Sequence, residues 1–297
     1  LVRSRGLGDV YKRQVLSWAY SRFEKFGFLI DRVLKRSTAL PPIDQILQPK
    51  GATPYQVGEK LPQRTQETRK LYEKILANHF TILVGPVGSG KTSLLGAGLG
   101  STANDKYDVQ IFKSDKELQE RLANLVDAHT ESTLRKPLLI CLDQFDALFT
   151  TITEKKQIAV MNTLVALIER QRASVVIAIR NDFHDLLGQL CDKADPQRKA
   201  LDTQNTFWLG LLSPEQARLV LEEILEPILV LDRTRKYEVS EFIESVVDQL
   251  KAPDDLRKFD RSLVVSPLDI QIVIDMMVSI RAHFNTSALT ENGKTQG

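Results

Sequence analysis

The sequence predicts a three-layer α/β sandwich around a five-stranded parallel sheet, followed by an all-helical region. Three observations carry that expectation. Short apolar runs alternate with helix-length amphipathic stretches between Phe80 and Leu212, as in strands buried on both faces. Gly85-Pro86-Val87-Gly88-Ser89-Gly90-Lys91-Thr92 matches G-x-x-x-x-G-K-[ST] at every fixed position. Beyond Ser213 only helical patterns remain.

The chain has 297 residues, room for one large or two ordinary domains, and its 42% hydrophobic and 26% charged residues are those of a soluble globular protein. A net charge of +2 offers no bulk electrostatic reason to expect nucleic acid. Cys141 and Cys191 are far apart and in no metal spacing, so a reducing, cytoplasmic setting is the simplest. His79, His129, His184 and His283 are scattered singly, and no apolar run approaches bilayer-spanning length.

Taken in order, the first stretch includes Asp9-Val10-Tyr11-Lys12-Arg13-Gln14, whose back-translation resembles a transposase mosaic-end adapter, so residues 1–14 are read as foreign to the fold. Residues 15–50 are expected to hold a helix and linker from a truncated upstream region. Leu16, Ala19, Phe23, Phe26 and Leu29 share one helical side, and Pro41-Pro42 breaks the pattern. Residues 51–213 form the expected phosphate-binding domain, 214–285 a helical lid or winged-helix-like region, and 286–297 a polar tail.

Within the α/β domain, Glu67 to Leu76 reads as a helix with Leu71, Tyr72, Ile75 and Leu76 on one face. Phe80 to Val84 is the first strand, and Ser93 to Leu99 opens a helix behind the glycine-rich loop. Asp108 to Phe112 is the second strand. Ser114-Asp115-Lys116-Glu117 then has the form of a capping box. Pro137 to Leu142, Ser174 to Ile179 and Phe207 to Leu212 supply three more strands, with a helix through Ile158, Met161, Val165 and Ile168 between the first two. Ser213-Pro214-Glu215-Gln216 is a second capping box, with Pro at the first helical position. The helices predicted after it are Ala217 to Glu226, Val239 to Leu250 and Pro267 to His283.

The glycine-rich loop defines the chemistry. Gly85, Gly88 and Gly90 let backbone N–H groups turn toward a phosphate, and a helix N-terminus behind them adds partial positive charge. Pro86, Val87, Ser89 and Ser93 complete the nucleotide-binding candidates of this loop. Lys91 would reach the β- and γ-phosphates and the Thr92 hydroxyl would hold Mg²⁺. Leu138 to Leu142 ends in Asp143, the form of a Walker B strand whose carboxylate holds Mg²⁺ at the sheet edge. Gln144 follows, where vigorous ATPases carry Glu. Gln orients a water but takes no proton at neutral pH, and Asp146 is the nearest alternative carboxylate. Arg180, just past a buried strand, is a candidate γ-phosphate contact. The guanine-reading N-K-x-D motif is absent, so ATP is expected before GTP.

Together these motifs resemble the STAND class of signalling ATPases, specifically the novel STAND NTPases of bacteria, over about Gly51 to Ser279. Gly51-Ala52-Thr53-Pro54-Tyr55-Gln56-Val57-Gly58-Glu59 is similar to the family's G-x-x-P-F-Q-x-G-E segment. Arg64 and Glu67 fall on its G-R-x-x-E motif, with Gln63 in place of Gly. LLICLDQFDALF is similar to its D-Q-F-E-E element, with Asp146 and Ala147 in place of the two Glu. VVIAIRNDFHDLL is similar to its R-x-D-F/Y strand, and Val265 to Val273 to its V-E-P-V-Q-L-Q-V-V helix. The resemblance implies an AAA+-like P-loop NTPase module that alternates between ATP- and ADP-bound arrangements. It also implies an adenine-side contact from Arg64, a nucleotide contact from Pro267, self-association in the ATP state, and flanking effector and sensor regions; slow hydrolysis is expected from Gln144. The competing reading is an AAA+ ATPase coupled to DNA or protein remodelling. Gln144 and the lack of a basic patch favour the switch.

Overall fold

The structure, a computed structural model, describes residues 53–130, 136–171, 173–197, 199–231, 236–250 and 264–275. The adapter-like start, the predicted helix and linker over residues 15–50, the far half of the helix from Pro267 and the tail lie outside the described residues. Pro54–Leu211 forms one compact unit, and the helices from Leu212 onward belong to another.

The first unit is built on strands β1 (Phe80–Gly85), β2 (Asp108–Lys113), β3 (Leu138–Asp143), β4 (Ser174–Arg180) and β5 (Thr206–Trp208). All pairings are parallel and the order is β2-β3-β4-β1-β5. One strand, β4, is inserted between the glycine-loop strand β1 and the acidic strand β3. Register brings Gly85 opposite Arg180 and Lys113 opposite Asp143, so the ends of four strands share the carboxyl edge of the sheet. That edge is where open α/β sheets bind ligands.

Side chains alternate across the strands, and the two sets pack into separate cores. Ile82, Val84, Ile140, Leu142, Val175 and Ile177 face Leu118, Leu122, Met161, Leu164 and Leu187. These come from helices α3 (Leu118–Thr130), α5 (Glu154–Gln171) and α6 (His184–Ala194), with the short α4 (Asp146–Thr151) preceding α5. Leu83, Leu139, Cys141, Val176 and Ala178 face the other way, toward Leu71 and Ile75 of α1 (Thr65–Ala77) and Leu94, Leu95 and Leu99 of α2. The segment called α2 here comprises Lys91–Ser93, a π-helical stretch Leu94–Leu99 and Gly100–Thr102. Cys141 and Cys191 are both buried, and neither forms a disulfide among the described residues.

Three local expectations are corrected. The fifth strand is three residues long rather than running from Phe207 to Leu212. The Leu209 N–H still bonds to the Val84 carbonyl, but Leu212 bridges antiparallel to Val265 instead. The edge strands are also half-exposed rather than buried, with Ile111 of β2 39% and Trp208 of β5 61% exposed. Third, Ser114 does not cap α3. Its N–H extends the β2–β3 ladder to the Asp143 carbonyl, its hydroxyl is buried with no partner among the described residues, and Asp115 Oδ1 accepts the Glu117 N–H at 2.9 Å instead.

The second unit carries α7 (Pro214–Leu231), α8 (Lys236–Leu250) and a helix over residues 267–275, α9. Leu221, Leu225, Phe242, Val246, Ile270 and Ile274 form its core. Here the capping box forms as the sequence implies: the Gln216 N–H donates to Ser213 Oγ at 3.1 Å, and the Ser213 N–H to Gln216 Oε1 at 3.0 Å. No helix among the described residues is long and apolar enough to cross a membrane.

Candidate nucleotide site

The glycine-rich loop leaves β1 at Gly85 and enters α2 at Lys91. Gly88 and Gly90 sit at φ +77° and +91°, left-handed conformations that favour glycine, and a Cβ on Gly90 would project into open space. Ser89 is buried and its hydroxyl has no partner among the described residues. A turn of this kind, an orphaned hydroxyl inside it and a helix N-terminus behind it together suit an anionic phosphate chain.

Lys91 curls back over the loop, its Nζ donating to the Gly85 carbonyl at 2.6 Å and the Pro86 carbonyl at 2.9 Å. Burial pushes its ammonium down to about 8, against the pull of the Asp146 and Asp143 carboxylates. Thr92 Oγ1 donates to Asp143 Oδ2 at 2.9 Å and Oδ1 at 3.2 Å. Asp143 is buried, which raises its pKa; the Thr92 hydrogen bond acts in the opposite sense. The hydroxyl and carboxylate form a hard-oxygen pair of the type Mg²⁺ takes, so these two residues fit the ion. Such an ion, held by Thr92 and Asp143, would supply charge neutralisation to a bound triphosphate.

Beyond that pair, Gln144 lies exposed at φ +54°. Asp146 opens α4, and its Oδ1 accepts the backbone N–H of Arg180 at 3.3 Å. The Arg180 side chain is not a free cation. Its Nε donates to Asp182 Oδ1 at 3.0 Å, its Nη2 pairs with Asp182 Oδ2, and the guanidinium lies 5.1 Å from the Phe183 ring centroid. In the sequence, the signal for this partner is the two-residue spacing of Asp182 from Arg180. Arg64 is buried against the loop, donating to Glu67, to the Ser89 carbonyl and to the Gly210 carbonyl. Ser93 Oγ accepts the Tyr55 N–H at 3.1 Å, which ties the entry segment to α2. Pro267 belongs to the second unit, where it opens α9 behind Ser266.

A parallel sheet with an extra strand between the glycine-loop strand and the acidic strand, and a Thr–Asp oxygen pair at its edge, defines a P-loop NTPase of the inserted-strand class. Within that class the chain belongs to the Novel STAND NTPase 1 family, whose model matches residues 62–250. Among solved structures, the chain is similar to the Aeropyrum pernix ORC2 protein in its ADPNP–ADP complexes, at 14% identity and a TM-score of 0.41, covering 76% of this chain and 69% of that one. A Walker-type ATPase of Pyrococcus abyssi matches at 13% identity and a TM-score of 0.42, over 82% and 79% of the two chains. No curated protein sequence matches.

Proposed function

We propose that this chain is the nucleotide-operated module of a signalling switch that binds ATP with Mg²⁺, hydrolyses it slowly and self-associates in the ATP state. The observation that carries the reading is the Thr92–Asp143 oxygen pair beside Lys91, followed by Gln144 rather than a carboxylate. Thr92 and Asp143 hold the ion, the N–H groups of the glycine-rich loop and Lys91 hold the β- and γ-phosphates, and Gln144 orients the attacking water. A positioned base contributes about 10²–10⁴-fold to such reactions, and an amide supplies no proton acceptor. ATP therefore stays bound long enough for its γ-phosphate to define one state and ADP the other. Membership of an NTPase family supports the chemistry.

The test is calorimetric. Lys91→Ala removes charge-assisted contacts worth about 1.5–3 kcal/mol each, so ATP affinity should fall by roughly one to two orders of magnitude. Unchanged affinity would overturn the site. Turnover measured with and without DNA then tests the switch, because turnover stimulated by DNA would favour remodelling instead.

A further inference from the structure

We infer that Arg64 is a positioning residue that holds the Ser89–Gly90 peptide with its N–H turned toward the phosphate, rather than a contact to the base. The assignment rests on the nucleotide-site reading above. Arg64 is a buried cation, its side chain 7% exposed. Nη1 donates to Glu67 Oε1 at 2.7 Å, and Nη2 donates to the Gly210 carbonyl at 2.8 Å and the Ser89 carbonyl at 3.2 Å. Glu67 balances the charge, and the two carbonyls are the ends of a bridge between the glycine-rich loop and the chain leaving β5.

The peptide group supplies the mechanism. A trans peptide is planar, with its C=O and N–H pointing in opposite directions. A Ser89 carbonyl held on the Arg64 side therefore sends the Gly90 N–H to the other side. The plane of this peptide turns on ψ of Ser89 and φ of Gly90, and a glycine, here at φ +91°, constrains φ little, so something must hold it. The other end of the bridge is firm. A Cβ on Gly85 would lie 2.5 Å from the Leu209 carbonyl oxygen, so the 209–210 backbone is pressed against the start of the loop.

Two local costs accompany this arrangement. Arg64 occupies the N-cap of α1 yet makes no side-chain cap, and Gln63 before it is held at φ +51°. Rule-breaking of this kind gathers at functional positions.

The test compares ATP with inorganic tripolyphosphate, each with Mg²⁺, binding to the full chain and to its Arg64→Met and Arg64→Lys variants, below each variant's melting temperature. Tripolyphosphate has the phosphates and no base. Arg64→Met should weaken both ligands in parallel, by about tenfold or more. Arg64→Lys keeps the charge but cannot bridge two carbonyls and Glu67, so it should weaken both in parallel to a smaller extent; it decides the matter if the Met variant does not fold. Loss of ATP with tripolyphosphate binding intact would place the contact at the base and overturn the assignment. A lowered melting temperature with both affinities unchanged would reduce Arg64 to a structural residue. Wild-type chain that bound neither ligand would overturn the nucleotide-site reading, and this assignment with it.

Discussion

Thr92 and Asp143 lie 51 residues apart in the chain, and the hydroxyl of one donates to both carboxylate oxygens of the other. The contact joins the start of α2 to the end of β3, which are not neighbouring strands' ends but meet because the loop folds over the sheet edge. Asp143→Asn keeps the volume and removes the charge. It should abolish Mg²⁺-dependent hydrolysis while leaving Mg²⁺-free nucleotide binding close to wild type, read by titration with and without EDTA. Hydrolysis that survives the change would remove Asp143 from the ion site.

Gln144 and Asp146 predict opposite responses. Gln144→Glu places a proton acceptor beside the ion site, and turnover should rise by up to about 10²-fold. Asp146 Oδ1 already accepts the Arg180 N–H, and an amide oxygen accepts equally well. Asp146→Asn should therefore leave steady-state turnover unchanged. A collapse would show that the base sits at Asp146 and that Gln144 is incidental.

Gly96 faces the entry segment. A Cβ there would lie 2.7 Å from the Tyr55 carbonyl oxygen, a backbone atom that cannot swing away. Gly96→Ala should cost about 1–3 kcal/mol by overpacking, measured by urea unfolding. A variant of wild-type stability would mean that residues 54–58 detach from α2 at little cost.

Asp195 supplies a pH signature away from the nucleotide. Burial acts to raise its carboxyl, but the N–H groups of Leu201 and Ala200, at 3.0 and 2.8 Å from Oδ2, outweigh it and hold the pKa below the ordinary value. The folded pKa is thus below the unfolded one, about 3.9. The carboxylate's stabilisation is fully present above that value and is lost as pH falls through the folded pKa. The stability gap between wild type and Asp195→Asn should accordingly be constant at neutral pH and shrink below about pH 4. A gap independent of pH would show that the anion contributes nothing beyond its shape.

Much of this protein is local enough to be read from the chain. Apolar runs of strand length specify β1, β3 and β4 because a strand buried on both faces has no polar side to display. The glycine-rich loop is legible for the same kind of reason: positive φ and close phosphate approach restrict the residue types within a few positions of one another. The Ser213–Gln216 box likewise closes over three residues. Where pairing ends is another matter. Ser114 looks like a cap until the Asp143 carbonyl claims its N–H, and the run after Trp208 looks like strand until Leu212 pairs with Val265. Arg180 reads as a γ-phosphate contact, and the fold adds a pairing of its guanidinium with Asp182. For Arg64 the family resemblance implies an adenine-side contact, while the partners the fold supplies are Glu67 and carbonyls 25 and 146 residues away. The sequence determined the elements, since each answers to its own dihedral and patterning preferences. The tertiary structure alone decided the partners, because a hydrogen-bonding group takes whatever acceptor the fold brings within 3 Å or so, and nothing in the neighbouring residues names it.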